Sequence, residues 1–164
     1  MKLKTIAAAS VVALTTLSSH AASTAWGAHD PLEQGVQLVS GAFADTYSFS
    51  LGAQSSVTSG VLSFGSIVGG TYSLWSYGTD GLFGTSDDVG LGSWTYNTTA
   101  ANHTVSLGAG SYYYFVGGGA LSTSAYSIAS TAVAAPVPEP ETYALLGAGL
   151  GIVGFVASRR RRDY

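Results

Sequence analysis

The chain has 164 residues and no cysteine. That absence excludes disulfide cross-links, thiolate metal sites and cysteine nucleophiles. Basic side chains are almost as scarce: Lys2, Lys4, Arg159, Arg160, Arg161 and Arg162 are the whole set. From Ala22 to Ala135 there is no Lys or Arg. Asp30, Glu33, Asp45, Asp80, Asp87 and Asp88 give that stretch a formal charge of −6. A body without a cation has no side chain to neutralise phosphates. This argues against nucleic-acid binding, phosphate sites built on Lys or Arg, and Schiff-base chemistry. Good helix formers other than Ala are also rare in the middle, which is rich in Gly, Ser, Thr, Tyr and Ala.

What is present concentrates first at the two ends. Lys2 and Lys4 precede an apolar run, Ile6–Leu17, and Ser19-His20-Ala21 follows as a small-x-small cleavage site, with Ser23-Thr24-Ala25 as a second candidate. This is the plan of a secretory signal peptide, residues 1–21, for signal peptidase. At the other end, residues 136–141 contain Val137-Pro138-Glu139-Pro140-Glu141. An uncharged stretch, Thr142–Ser158, follows, and then a basic tail, residues 159–164, that opens on four arginines. Pro138 and Pro140 keep the approach extended. Seventeen uncharged residues are at the lower limit for a transmembrane helix, and four arginines beside them would hold that end in the cytoplasm.

V-P-E-P-E, an apolar segment and an arginine cluster, in that order, resemble the PEP-CTERM sorting tail of Gram-negative surface proteins. The residues that carry the likeness are Val137, Pro138, Glu139, Pro140 and Arg159 to Arg162. The resemblance implies export, transient or lasting membrane anchoring, and cutting by an exosortase-type membrane protease. The apolar tail would be discarded much as a GPI signal is. The same tail is also labelled an ice-binding protein C-terminal domain, but the body has no ranks of T-x-T on a flat repeat.

Residues 22–135 read as one extracytoplasmic all-β domain: short alternating apolar runs broken by glycines, without an exact repeat. The expected strands are Val36–Ser40, Phe43–Leu51, Ser56–Phe64, Thr71–Tyr77, Leu91–Asn97, His103–Leu107, Tyr112–Val116 and Ala125–Ser130. About eight strands at this spacing fit a β-sandwich or jelly-roll-like domain. Gly108-Ala109-Gly110 and Gly117-Gly118-Gly119 read as turns. Phe43, Asp45, Tyr47 and Phe49 match F-x-D-x-[FY]-x-F, a signature of small PEP-CTERM proteins. Thr104–Gly118 is similar to the closing hairpin of bacterial pre-peptidase C-terminal domains.

Candidate sites are few. Asp45 shares the face of Phe43, Tyr47 and Phe49, where an unpaired carboxylate costs several kcal/mol. With no cation nearby it must accept hydrogen bonds, sit at an open edge or hold a metal, and Asp45→Ala is expected to destabilise the domain. Asp80, Asp87 and Asp88 lie in the Gly-rich segment Tyr77–Gly90. They read either as capping carboxylates in a solvated turn or as a Ca²⁺ site, although the spacing fits neither the EF-hand nor the glycine-rich Ca²⁺ repeat. Ten tyrosines and three tryptophans are numerous for this length. Since Tyr112, Tyr113 and Tyr114 cannot all face inward, a polysaccharide surface is an alternative to pure core packing. No G-x-S-x-G or His pair points to catalysis, and no cofactor is implied beyond the Ca²⁺ alternative at Asp80, Asp87 and Asp88. The expected role is therefore structural or adhesive, at the cell surface or in an exopolysaccharide matrix, with a calcium- or glycan-binding module as the alternative.

Overall fold

The computed structural model describes residues 19–136 and 140–160. Residues 1–18 of the leader, Val137, Pro138 and Glu139, and Arg161 and Arg162 lie outside them. The chain divides into two units, up to Val133 and from Ala134 onward. The first is all-β, with β1 (Ser19–His20), β2 (Ser23–Ala28), β3 (Leu32–Leu51), β4 (Ser55–Phe64), β5 (Ile67–Ser76), β6 (Val89–Thr95), β7 (His103–Leu107) and β8 (Gly110–Ala134). The second contains α1 (Pro140–Arg160).

The eight strands form one hydrogen-bonded sheet rather than a sandwich of separate short strands. β3 and β8 are antiparallel along nearly their whole length, from Leu32↔Thr131 to Leu51↔Gly110. Both bend back on themselves. The hydroxyls of Tyr114 and Ser130 meet at 3.0 Å, although sixteen residues of straight strand would span roughly 50 Å. The ring of Tyr47 likewise lies against Gly35 of its own strand. The bend in β3 coincides with a register shift between Val39 and Gly41. Gly41 has a φ of 70°, a left-handed conformation that favours glycine. One half of the β3–β8 ladder carries β1 and β2 on one side and β5 and β6 on the other. The other half carries β4 and β7.

The merging of strands corrects the reading of Gly117-Gly118-Gly119 as a turn. These glycines lie inside β8, opposite Ala44, Phe43 and Ala42. A Cβ on Gly118 would stand 3.1 Å from the Phe43 ring and 3.0 Å from Ile67. Close packing at Gly118, rather than a reversal of the chain, favours a small residue here.

The expected alternation in β3 is present: Phe43, Asp45, Tyr47, Phe49 and Leu51 are all buried. The core is unusually phenolic, and its hydroxyls have partners. Tyr72 donates to the Ser59 carbonyl, Tyr96 to Gly117 and Tyr112 to Gly108. Among the described residues no buried side-chain polar atom lacks a partner. Burial pushes the Tyr72 hydroxyl up to about 12.

α1 covers the expected apolar stretch, but among the described residues no helix is long and apolar enough to cross a membrane. The uncharged part, residues 142–158, rises only roughly 26 Å, against a hydrocarbon core of about 30 Å. The expectation of a transmembrane helix is corrected to that extent.

Candidate functional site

Asp45 is the most deeply buried acid among the described residues, with no solvent exposure. The strand period points it inward, and the N-terminal segment and β8 close around it. From the N-terminal segment, the Ala22 N–H donates to Oδ1 at 2.7 Å, and His20 Nδ1 lies 3.2 Å from the same oxygen. From β8, the Tyr126 hydroxyl donates to Oδ2 at 2.6 Å. Having spent its proton there, Tyr126 accepts from Tyr47 at 2.9 Å. Phe43 stacks on Tyr126, with centroids 5.5 Å apart and planes 12° from parallel. Burial raises the pKa of Tyr126, and the bond to Asp45 adds to it. The signature residues Phe43, Asp45 and Tyr47 thus form one buried unit that ties the N-terminal segment to β8. Phe49 lies one step further along, stacked on Tyr114 at 5.3 Å. A carboxylate so enclosed orders structure and offers nothing to a substrate.

β2 completes this packing. It runs parallel to β3, with Ser23 opposite Thr46 and Thr24 opposite Tyr47, and it lays Trp26 5.1 Å from the Tyr47 ring. Sequence reasoning missed β1 and β2. The only available signal was the isolated Trp26 in a run of small residues.

The second acidic group lies on the outer face of β5 and β8. Trp75 pairs with Tyr113 and Ser73 with Phe115, so these side chains point away from the core. The segment between β5 and β6 folds over them and is pinned by its own carboxylates. Asp88 accepts from the N–H groups of Gly78 and Gly84, both at 2.8 Å, and from the Tyr113 hydroxyl at 2.8 Å. Asp87 accepts from the hydroxyls of Thr85 at 2.6 Å and Thr79 at 3.0 Å. Asp80 accepts from the Leu82 N–H at 2.9 Å. The Thr85 hydroxyl, foremost, holds Asp87 down at about 2. Desolvation works against Asp88, yet Tyr113 and three backbone N–H groups keep its pKa below the ordinary carboxylate range. Burial, reinforced by the bond to Asp88, raises the pKa of Tyr113.

The structure therefore brings Asp80, Asp87 and Asp88 together, with the oxygens turned onto the loop's own donors. Among the described residues there is no cluster of three or more His, Asp or Glu side chains arranged to hold a metal. Under the loop lies a hollow of about 440 Å³, lined chiefly by Trp75, Phe83, Tyr113, Phe115 and Asp88. Tyr113 faces outward but is not an exposed ring. Only 3% of it meets solvent, because Phe83 covers it edge-on at 4.8 Å.

In the second unit, α1 begins at Pro140, inside the Pro-Glu-Pro segment, and extends past Arg159. Residues 136–162 match the PEP-CTERM protein-sorting motif. The chain carries a PEP-CTERM sorting tail. No curated protein sequence matches the chain. Among solved structures, the pre-peptidase C-terminal domain of collagenase from Bacillus anthracis is similar at a TM-score of 0.46 and 14% identity. It covers 66% of this chain and 94% of its own. PliG of Aeromonas hydrophila, a periplasmic inhibitor of g-type lysozyme, is similar at a TM-score of 0.45 and 14% identity, over 69% of this chain and 99% of its own. PliG of Salmonella Typhimurium has a TM-score of 0.37 and 17% identity, over 67% and 98%. Likenesses at this level carry no functional assignment.

Proposed function

We propose that this chain is an exported, non-catalytic protein that an exosortase-type membrane protease sorts to the cell surface or into an exopolysaccharide matrix. There its β-domain has a structural or adhesive role. The observation that carries the reading is the PEP-CTERM tail at residues 136–162. A leader of signal-peptide type at the opposite end of the chain supports it. The tail holds the chain at the membrane until it is cut. The body released by that cut is anionic, free of thiols and amine side chains, and built on a hydrogen-bonded tyrosine core, which suits display in bulk outside the cell.

Intact masses of the native protein from membrane, surface and culture fractions test this. Loss of the leader together with the segment after Pro140 supports sorting. A surface form that keeps its arginine tail overturns it.

A second reading, a glycan-binding module, draws on the aromatic hollow beside Trp75, since an indole face can cover the apolar side of a sugar ring. Calorimetric titration with the polysaccharide produced by the same cells, repeated with Trp75→Ala, tests it. Equal heats from both forms would dismiss this reading. A Ca²⁺ ion at Asp80, Asp87 and Asp88 would have to displace the bonds these acids already accept, and titration with Ca²⁺ alone reads that directly.

A further inference from the structure

A buried carboxylate is ordinarily matched by a cation; the body has no Lys or Arg to offer Asp45, and the one His in contact with it, His20, belongs to the leader. The group closest to its Oδ1 on the N-terminal side is the backbone nitrogen of Ala22, at 2.7 Å. The Ala21–Ala22 bond is also where the first candidate leader site, Ser19-His20-Ala21, would be cut. We propose that leader removal makes the missing cation: the new α-ammonium of Ala22 forms an ion pair with Asp45 and locks the processed fold. This rests on the reading that the chain is exported.

The chemistry balances. Water adds across the Ala21–Ala22 bond, its hydroxyl going to the Ala21 carbonyl carbon and a proton to the Ala22 nitrogen. The proton of the resulting acid passes to the amine, leaving a carboxylate on the departing leader and an ammonium on Ala22. One N–H donor becomes three, and a neutral donor becomes a charged one, at the same place.

Ala22 does not depend on the leader to stay there. Its carbonyl accepts from the Thr46 N–H at 2.8 Å, and Ser23 to Ala28 remain paired with Thr46 to Ser50. What departs is β1 with His20, a ring 43% exposed. The other groups facing Asp45 remain: Tyr126 directly, with Tyr47 and Tyr96 beyond it. The geometry also separates the two candidate cuts. Cleavage after Ala25 would remove Ala22 and half of β2 and leave Oδ1 without its donor.

The test uses the chain from Ala22 to Tyr164, prepared with a free Ala22 amine and with that amine acetylated. Lys2 and Lys4 are the only lysines, so the α-amine is the sole amine in this form and its modification is read cleanly by mass. The free form is expected to melt higher by about 5 °C or more. The difference should vanish in Asp45→Asn, and acylation should be at least about tenfold slower in the folded protein than in urea. Equal melting temperatures together with equal acylation rates overturn the ion pair, and this comparison needs only the wild-type sequence if Asp45→Asn fails to fold. The N-terminus of the native protein separates the two levels of the argument. A start at Ala22 supports both, a start at Trp26 overturns the ion pair and leaves export standing, and a start at Met1 overturns export itself.

Discussion

Two groups of acids in a body without cations solve the same electrostatic problem in opposite ways. Asp45 is wholly buried and takes its hydrogen bonds from distant parts of the chain, Ala22 and Tyr126, which are 23 and 81 residues away. Asp80, Asp87 and Asp88 lie at the surface, and nearly all their bonds come from within the same loop. Tyr113 is the exception that fastens the loop to the sheet. The first arrangement joins elements and is a matter of global stability. The second shapes one segment and is a matter of local order. Charge alone does not tell them apart; the sequence distance to the partners does.

The comparison can be broken most forcefully at Asp45. Asp45→Ala removes the acceptor of two buried donors, and a loss of about 3 kcal/mol is expected, read as a lower urea midpoint. An unchanged midpoint would show that the carboxylate is dispensable. Tyr126→Phe deletes the donor to Asp45 and the acceptor of Tyr47, with an expected loss of about 2 kcal/mol by the same assay. A smaller loss than for Tyr72→Phe would place the weight elsewhere in the core. Asp88→Asn should hardly move the midpoint, yet it should speed amide exchange at Gly78 and Gly84 and bring the Tyr113 hydroxyl closer to its ordinary titration range. Cooperative loss of the whole fold in this variant would contradict the division between local and global roles.

The smallest effect concerns pH. The pKa of Asp87 is lowered by folding to about 2, so its contribution is present above its ordinary value near 3.8 and is lost as the pH falls through about 2. The Thr79 and Thr85 amides beside Asp87 should keep their chemical shifts from neutral pH to about 4 and change only below that. Loop melting already at pH 5 would refute the assignment.

The parts of the fold that could be read from sequence are those with short-range causes. Phe43 to Leu51 alternate at period two, and burial follows that alternation residue by residue. His103–Leu107 is a strand with the expected limits. The sorting tail was legible because its three parts are contiguous. Three features were not. The run Gly117-Gly118-Gly119 has the composition of a turn, yet a strand passes through it, with Gly118 packed under Phe43 and Ile67. β3 and β8 look like four strands because bends and register shifts interrupt their patterns without ending them. The partner of Asp45 on β8 was invisible because nothing in local spacing links it to a tyrosine 81 residues later. At the other site, composition put Asp80, Asp87 and Asp88 in one loop. Whether their oxygens face solvent or the backbone depends on Gly78 and Gly84, whose N–H groups carry no sequence signal.

The long β3–β8 ladder has a consequence for the timing of folding. Its pairs join residues from 59 apart, Leu51 with Gly110, to 99 apart, Leu32 with Thr131. Contacts of that separation form late and slowly. Among the described residues β3 has no antiparallel neighbour until β8 has been synthesised. A protein arranged in this way can pair β4 with β7 and β5 with β6 early, but its central ladder closes only once its last strand is complete.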